Sequence, residues 1–406
     1  MRHGIVDSII EYKPDIPKVI ERGILKLFKV DALSELAADE KFAVSKKIIN
    51  LFSNTSATNY SGVFREYTLY YLPVNLYKIW RPLLDLVLTD NLPPVCSVLE
   101  MGIGPGSATF GLIEFYKYLA IDNYTVQFEL DLTLVESSPE FLDVFSVLFE
   151  NYRATIPENL TIKIRCVNSD AAIFLDDNLE RYQLIVESNM FNPNEHIAQK
   201  EVENLAKNIK RAMTNNASAI FIEPAKKSLT SMLKLLKVAL LKNGLHSYSP
   251  CYCNNDDCSQ FASARLDVSA ISIYNELLSE GIITPSQMTH AFEYAVFRND
   301  TMRKYNYNGD GITLRCLDFR EGELIRFKAF ILTNVDNGDS FGIKICDGSR
   351  CGSEDVWINV PKSRLVDREV NCLTAGRGGL IDVKDAIVLD KRRIGLCQKT
   401  RLKIYL

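Results

Sequence analysis

Three thiols fall within eight positions in His246-Ser-Tyr-Ser-Pro-Cys251-Tyr-Cys253-Asn-Asn-Asp-Asp-Cys258. Thiolates grouped in a polar loop suit a soft or borderline metal better than they suit a packed core. Cys251, Cys253 and Cys258 offer three ligands, and a fourth is needed. The candidates are His246, Cys316 and the C-terminal thiols. A set completed by His246 suits zinc, whereas four thiolates suit zinc or an iron–sulfur cluster equally. The spacing does not choose between them, and Cys-x-Cys is atypical of zinc ribbons. Cys346, Cys351, Cys372 and Cys397 form a second group, in which Cys346-Asp-Gly-Ser-Arg-Cys351 is either half of a zinc site or a turn with two incidental thiols, the latter favoured because the partners are remote and unpaired in pattern.

A ligand turn lies upstream. Glu100-Met-Gly102-Ile-Gly104-Pro-Gly106 follows the apolar Val98-Leu99 and precedes a helical pattern from Ala108. Glycines at this spacing let backbone amides approach a ligand, and the helix start stabilises a carboxylate. Glu136 ends the next strand, where a carboxylate can hold two ribose hydroxyls. Asp170 follows the third strand, where an adenine amino group would sit. Together Glu100, Gly102, Gly104, Gly106, Glu136 and Asp170 resemble the cofactor site of a class I S-adenosylmethionine-dependent methyltransferase. The alternative is a Rossmann-like sheet whose turn serves packing alone. No Asn-Pro-Pro-aromatic or Asp-Pro-Pro-aromatic tetrapeptide is present to hold an amino group. Pro250-Cys251 is similar to the nucleophile of cytosine-C5 methyltransferases, but it sits inside the thiol cluster. Cofactor binding is therefore better supported than methyl transfer.

The elements that must position these residues are legible in the hydrophobic pattern. Residues 1–90 read as helical, with Leu69, Leu72, Leu76, Ile79 and Leu83 at helical spacing, and Asn91-Leu-Pro-Pro stops them. Strands over Val95–Met101, Gln127–Val135, Thr161–Val167, Gln183–Val186, Ala219–Ile222 and Tyr294–Phe297 alternate with helices. The helices cover Ala108–Leu119, Pro139–Tyr152, Lys200–Met213 and Ser228–Lys242. That alternation predicts an α/β domain over 91–310 with a parallel sheet covered by helices. Beyond Asn299 the pattern becomes all-β, with short strands at Ile312–Cys316, Leu324–Leu332, Gly342–Cys346, Val356–Val360, Asp382–Leu389 and Leu402–Leu406. Residues 311–406 therefore read as an OB-like barrel.

At 406 residues the chain exceeds one ordinary core, and 47% hydrophobic with 24% charged residues is a globular composition. No apolar run reaches a membrane span, and the acidic residues near Met1 suit neither a secretory signal nor a transit peptide. Ten cysteines without a secretory signal predict a reducing, cytoplasmic setting. A net charge of −4 disfavours indiscriminate nucleic-acid binding, but residues 311–406 hold 17 Lys and Arg against 13 Asp and Glu. Arg326 and Lys328 share a strand face. Arg377 follows in a glycine-rich turn, and Lys391, Arg392 and Arg393 form a basic run. Cations beside aromatic residues on a small barrel fit a single-strand or RNA platform.

Several segments, in order, resemble the methyltransferase-like proteins of the mitochondrial small ribosomal subunit and their archaeal and bacterial relatives. They are Phe64-Arg-Glu-Tyr67-Thr-Leu-Tyr-Tyr-Leu-Pro73, the turn at 99–106, Phe221-Ile-Glu223-Pro224, the thiol loop through Arg265, and Phe292-Glu-Tyr294. The resemblance covers about residues 60–320. It implies a [4Fe–4S] cluster on Cys251, Cys253, Cys258 and Cys316, with Cys253 departing from the family's spacing. It also implies association with the small ribosomal subunit and its rRNA during assembly. The lack of a transit-peptide pattern favours a prokaryotic cytoplasm, and a monomer is expected when free. The alternatives are an active rRNA methyltransferase and a zinc-stapled methyltransferase for a non-RNA substrate.

Overall fold

The computed structural model describes residues 15–53, 62–191, 198–249, 263–302, 320–346, 356–374, 379–390 and 392–405. Four helices come first: α1 (Lys18–Lys26), α2 (Ala38–Ser53), α3 (Phe64–Leu76) and α4 (Trp80–Val87). Ile20 and Ile24 lie one turn apart and bury one face of α1, as the 3.6-residue period requires. In α3 and its exit, Leu69, Leu72, Leu76 and Ile79 are all buried.

A sheet follows, with helices between most of its strands. These are β1 (Val95–Met101), α5 (Ser107–Asp122), β2 (Phe128–Glu136), α6 (Pro139–Tyr152), β3 (Leu160–Asn168), α7 (Ala171–Asp177), β4 (Tyr182–Ser188), α8 (Gln199–Arg211), β5 (Met213–Pro224) and α9 (Lys227–Lys242). Then come β6 (His246–Ser249), β7 (Ser263–Asp267), α10 (Ser272–Ser279) and β8 (Thr289–Arg298). The strand order is β3-β2-β1-β4-β5-β8-β6, with β7 also on β8. Strands β1 to β5 pair in parallel. Their alternation divides the core. Val98 points into the face packed by the N-terminal helices, α5 and α6, while Leu99 and Met101 point into the face packed by α8 and α9. Because the N-terminal helices join the first of these cores, they are one layer of the α/β domain.

The expected all-parallel sheet needs correcting. β8 runs antiparallel to β5, and β6 and β7 run antiparallel to β8. Phe292 of β8 pairs with Pro224 at the carboxyl end of β5. The chain thus re-enters the sheet at the edge it left, without a crossover to the opposite edge, and must run back. The short helices α7 and α10 and the short strand β7 were not legible, since so few residues carry little periodicity.

In the C-terminal part, β9 (Leu324–Asp336), β10 (Ser340–Cys346), β11 (Val356–Pro361), α11 (Asp367–Thr374), β12 (Leu380–Asp390) and β13 (Arg393–Tyr405) follow in sequence. The strands close in the order β10-β11-β13-β12-β9. β11 and β13 are parallel, and the other pairs are antiparallel. Phe327, Ile331, Ile343, Ile358, Val383 and Ile394 fill the interior. β13 begins at Arg393, well before the expected Leu402, so Arg392 and Arg393 lie where β13 starts rather than far upstream of it. The strand expected at 312–316 lies outside the described residues. Among the described residues, no helix is long and apolar enough to cross a membrane.

Candidate functional site

The carboxyl edge of the sheet carries the cofactor candidates. The strand order reverses between β1 and β4, and in open α/β sheets ligands sit outside the carboxyl ends at such a switch point. Four neighbouring parallel strands end in glutamate or one residue before their end: Glu136 on β2, Glu100 on β1, Glu187 on β4 and Glu223 on β5.

The turn after β1 is held from β2. The amides of Gly102 and Ile103 donate to the Val135 carbonyl at 2.8 and 3.3 Å. Gly102, Gly104 and Gly106 take φ values of +66°, +53° and +92°. At Gly106 glycine is required twice over, since a Cβ would also stand 2.4 Å from Phe145 Cδ2. Over Gly104 a Cβ would meet only Tyr67 Cε1, at 4.0 Å. Tyr67 belongs to α3 and packs on Tyr71 and Phe141, with centroids 4.7 and 5.1 Å away. An N-terminal helix therefore roofs the turn.

Glu136 grips this turn. Its Oε2 accepts a 2.8 Å hydrogen bond from the Gly104 amide, and its Oε1 accepts one of 2.9 Å from the Ser138 amide at the start of α6. A carboxylate has about four acceptor sites, so capacity remains for a ligand's hydroxyls. The end of β3 joins the same group through Asn168 Nδ2, which donates to the carbonyls of Glu136 and Ser137 at 3.0 Å each.

Glu100 is placed differently. It is 2% exposed and its Oε2 accepts a 2.7 Å hydrogen bond from the Thr109 hydroxyl of α5. Burial pushes its carboxyl up to about 8, so at neutral pH it ties β1 to α5 chiefly as the uncharged acid. Asp170 is exposed and caps α7, its Oδ1 accepting from the amides of Ala172 and Ile173 at 2.8 and 3.1 Å. One of its oxygens is thus committed to the helix start.

Beside this half, the ends of β4 and β5 form a second group. Glu187 and Glu223 are fully buried, and burial pushes both carboxyls up. Lys78, from the α3–α4 junction, faces Glu223, and burial pulls its ammonium down to about 8. His290 of β8 is pulled down to about 4 by burial and, second, by Lys78. Sequence reading singled out Glu223 only as part of a strand-end resemblance, and Glu187 not at all. It missed Lys78 and Tyr67 in their present roles. A glutamate at each carboxyl end was the available signal.

Of the metal candidates, Cys251, Cys253, Cys258 and Cys316 lie outside the described residues. His246 opens β6, in register with Arg298. Among the described residues, no group of three or more His, Cys, Asp or Glu could hold a metal ion. The stem of the thiol loop is fixed, because the Ser249 hydroxyl donates to Asp85 Oδ2, which also accepts from Tyr294 OH at 3.1 Å. Cys346 is buried beside Phe330, Leu332 and Leu380, and Cys397 Sγ donates to the Asp385 carbonyl at 3.2 Å.

On the barrel, Arg326, Arg392 and Arg393 are exposed. Arg393 Nε donates to Asp390 Oδ2 at 2.6 Å, which partly neutralises it. Lys328 pairs in register with Asp382. Arg377 and Lys391 lie outside the described residues. One grouping was not foreseen. Lys344, Trp357 and Arg393 stand in register across β10, β11 and β13, while Ile343, Ile358 and Ile394 point inward.

No family model matches the chain, and no curated protein matches it. Solved structures resemble it. A methyltransferase from Pyrococcus furiosus shares 11% identity at a TM-score of 0.32, covering 62% of this chain and 99% of that one. The N-methyltransferase NodS from Bradyrhizobium japonicum shares 12% at 0.30, covering 60% and 99%. An S-adenosylmethionine-dependent methyltransferase from Methanosarcina mazei shares 10% at 0.31, covering 52% and 96%. These likenesses add nothing to the strand order, which by itself defines a methyltransferase-type, Rossmann-like α/β fold with a mixed sheet.

Proposed function

We propose that this chain is an S-adenosylmethionine-binding, methyltransferase-like protein that acts in assembly of the small ribosomal subunit by binding rRNA. The observation that carries the cofactor reading is the Gly104 amide bonded to the Glu136 carboxylate at the switch point of the sheet. When bound, the cofactor supplies an electrophilic methyl group. Glu136 would receive its ribose hydroxyls, the backbone of Gly102–Gly106 would line its amino-acid end, and Asp170 would stand toward its base. The ribosomal part rests on the segments that resemble the small-subunit family.

A [4Fe–4S] cluster on Cys251, Cys253, Cys258 and Cys316 would clamp the thiol loop to the barrel side of the chain. Ligation would then be part of folding free energy. The barrel is read as OB-like because three meandering strands, a helix and two further strands close with β11 parallel to β13. The Lys344–Trp357–Arg393 row is the aromatic and cationic face such a barrel offers to unpaired bases.

Anaerobic purification followed by iron, sulfide and zinc assays tests the cluster. About four irons per chain are expected from a four-thiolate cluster. Stoichiometric zinc without sulfide would replace it with the zinc reading. Cys316→Ser should lose the metal. Methyl transfer to small-subunit rRNA by purified protein would make the chain an active enzyme.

A further inference from the structure

Glu187 and Glu223 hold the segment after β4 in the same way. Glu187 Oε1 accepts a 2.8 Å hydrogen bond from the Met190 amide, and Glu223 Oε1 accepts one of 3.1 Å from the Phe191 amide. Asn189, at φ +57°, donates its amide to the Ile222 carbonyl at 2.8 Å. Residues 188–191 are thereby fastened to β5. The second oxygen of each carboxyl, Oε2, is buried and receives no donor among the described residues. The two side chains are diagonal neighbours on one face of the sheet, since Glu187 is in register with Phe221, two residues before Glu223, and each carboxyl acts on the other. Two buried carboxylates side by side would repel and leave both oxygens unsatisfied. A single proton between them removes both penalties. The negative charge that remains faces the buried Lys78 ammonium. The other titratable neighbours are Glu293, in register with Glu223, and the neutral His290 beside Lys78.

The fastened segment reaches the cofactor turn. Met190 Cγ and Sδ stand 2.8 and 3.2 Å from where a Cβ on Gly102 would be, so Met190 packs directly on that glycine. We propose that Glu187 and Glu223 form a proton-sharing pair that positions residues 188–191, and with them Met190, against the Gly102 turn for cofactor binding. They are positioning residues. This deepens the cofactor reading above and rests on it.

The test measures S-adenosylmethionine affinity by calorimetry and amide hydrogen exchange at Met190 and Phe191 in wild type, Glu187→Ala, Glu187→Gln and Met190→Ala. Glu187→Ala should weaken affinity at least about tenfold, as loss of a buried hydrogen bond to a charged group does, and should speed exchange at both amides. Glu187→Gln should restore both properties. Its amide carries permanently the N–H that the shared proton supplies, and its carbonyl still accepts from Met190. Met190→Ala leaves the pair untouched, so it should weaken affinity while Phe191 stays protected. Glutamine as damaging as alanine, or alanine without effect on exchange, would overturn the pair. If wild type binds no S-adenosylmethionine, the cofactor reading fails while the exchange comparison still decides whether the proton-sharing pair exists.

Discussion

The carboxyl edge of the sheet and the outer wall of the barrel hold their candidate residues in opposite ways. At the sheet edge the four glutamates are buried, and each is fixed by a backbone amide or a neighbouring hydroxyl. Glu136 is bonded to Gly104 and Ser138, Glu100 to Thr109, and Glu187 and Glu223 to the segment after β4. On the barrel wall Arg326, Arg392 and Arg393 stand in solvent, with Arg393 paired to Asp390. Geometry is built into the first region before any ligand arrives. The second offers charge whose geometry a partner must complete. Changes at the edge should therefore alter stability and cofactor affinity, whereas changes on the wall should alter a salt-dependent association.

The largest effect is expected at Glu100. Its carboxyl is pushed from 4.5 to about 8 in the folded chain, so the native state holds a proton that the unfolded state releases. The stabilisation this gives is fully present below about pH 4.5 and is lost as pH rises through about 8. Glu100→Gln should flatten that decline by roughly 3–5 kcal/mol between those limits. Urea unfolding of both proteins at pH 5 and pH 8 measures it, and parallel curves would show that Glu100 is not buried as the acid.

Gly106→Ala comes next. It forces a side chain to φ +92° and drives a Cβ to 2.4 Å from the Phe145 ring. A loss of about 2–4 kcal/mol in thermal or denaturant unfolding is expected from backbone strain and overpacking together. A neutral result would mean that the turn yields easily and that its rigidity is not what sets the edge apart from the wall.

Glu136→Ala removes the carboxylate that meets both Gly104 and the expected ribose. S-adenosylmethionine affinity should fall by roughly 1.5–3 kcal/mol in calorimetry, the range for a charged acceptor. Equal affinity in both proteins, or none in either, would make the turn a packing device.

The smallest effect belongs to the wall. Reversing the charge of Lys391, Arg392 and Arg393 should weaken association with small-subunit particles. It should also flatten the salt dependence by about one unit of slope for each phosphate that is no longer neutralised. Arg393 should contribute least, because Asp390 already pairs with it. Cofactor affinity should be unchanged. A variant that co-sediments as wild type does would leave the basic run a solvated face.

Much of the edge was legible. Val95–Met101 and Pro139–Tyr152 occupy the residues their periodicity predicts. The glycine turn was visible because few other functions place three glycines at alternate positions after an apolar strand. The direction of β8 was not legible, since a buried strand reads alike in either direction. The start of β13 was hidden because Arg393-Ile-Gly-Leu-Cys-Gln-Lys mixes polar and apolar residues without a clean alternation.

By itself the sequence determined where the parallel strands and their helices form and where the backbone must turn through glycine, because periodicity and conformational freedom are local properties. It also holds a glutamate at or next to the end of four of those strand patterns, Glu100, Glu136, Glu187 and Glu223. Only the tertiary structure decided what those glutamates do. Glu136 faces a backbone amide at the turn, Glu100 faces a helix hydroxyl, and Glu187 and Glu223 face each other beside Lys78. The chemistry of a carboxyl group is set by its burial and its partners. Here the partners come from elements up to 145 positions away, as Lys78 does from Glu223. No local pattern encodes that pairing; it arises only when the strands assemble in the order β2-β1-β4-β5.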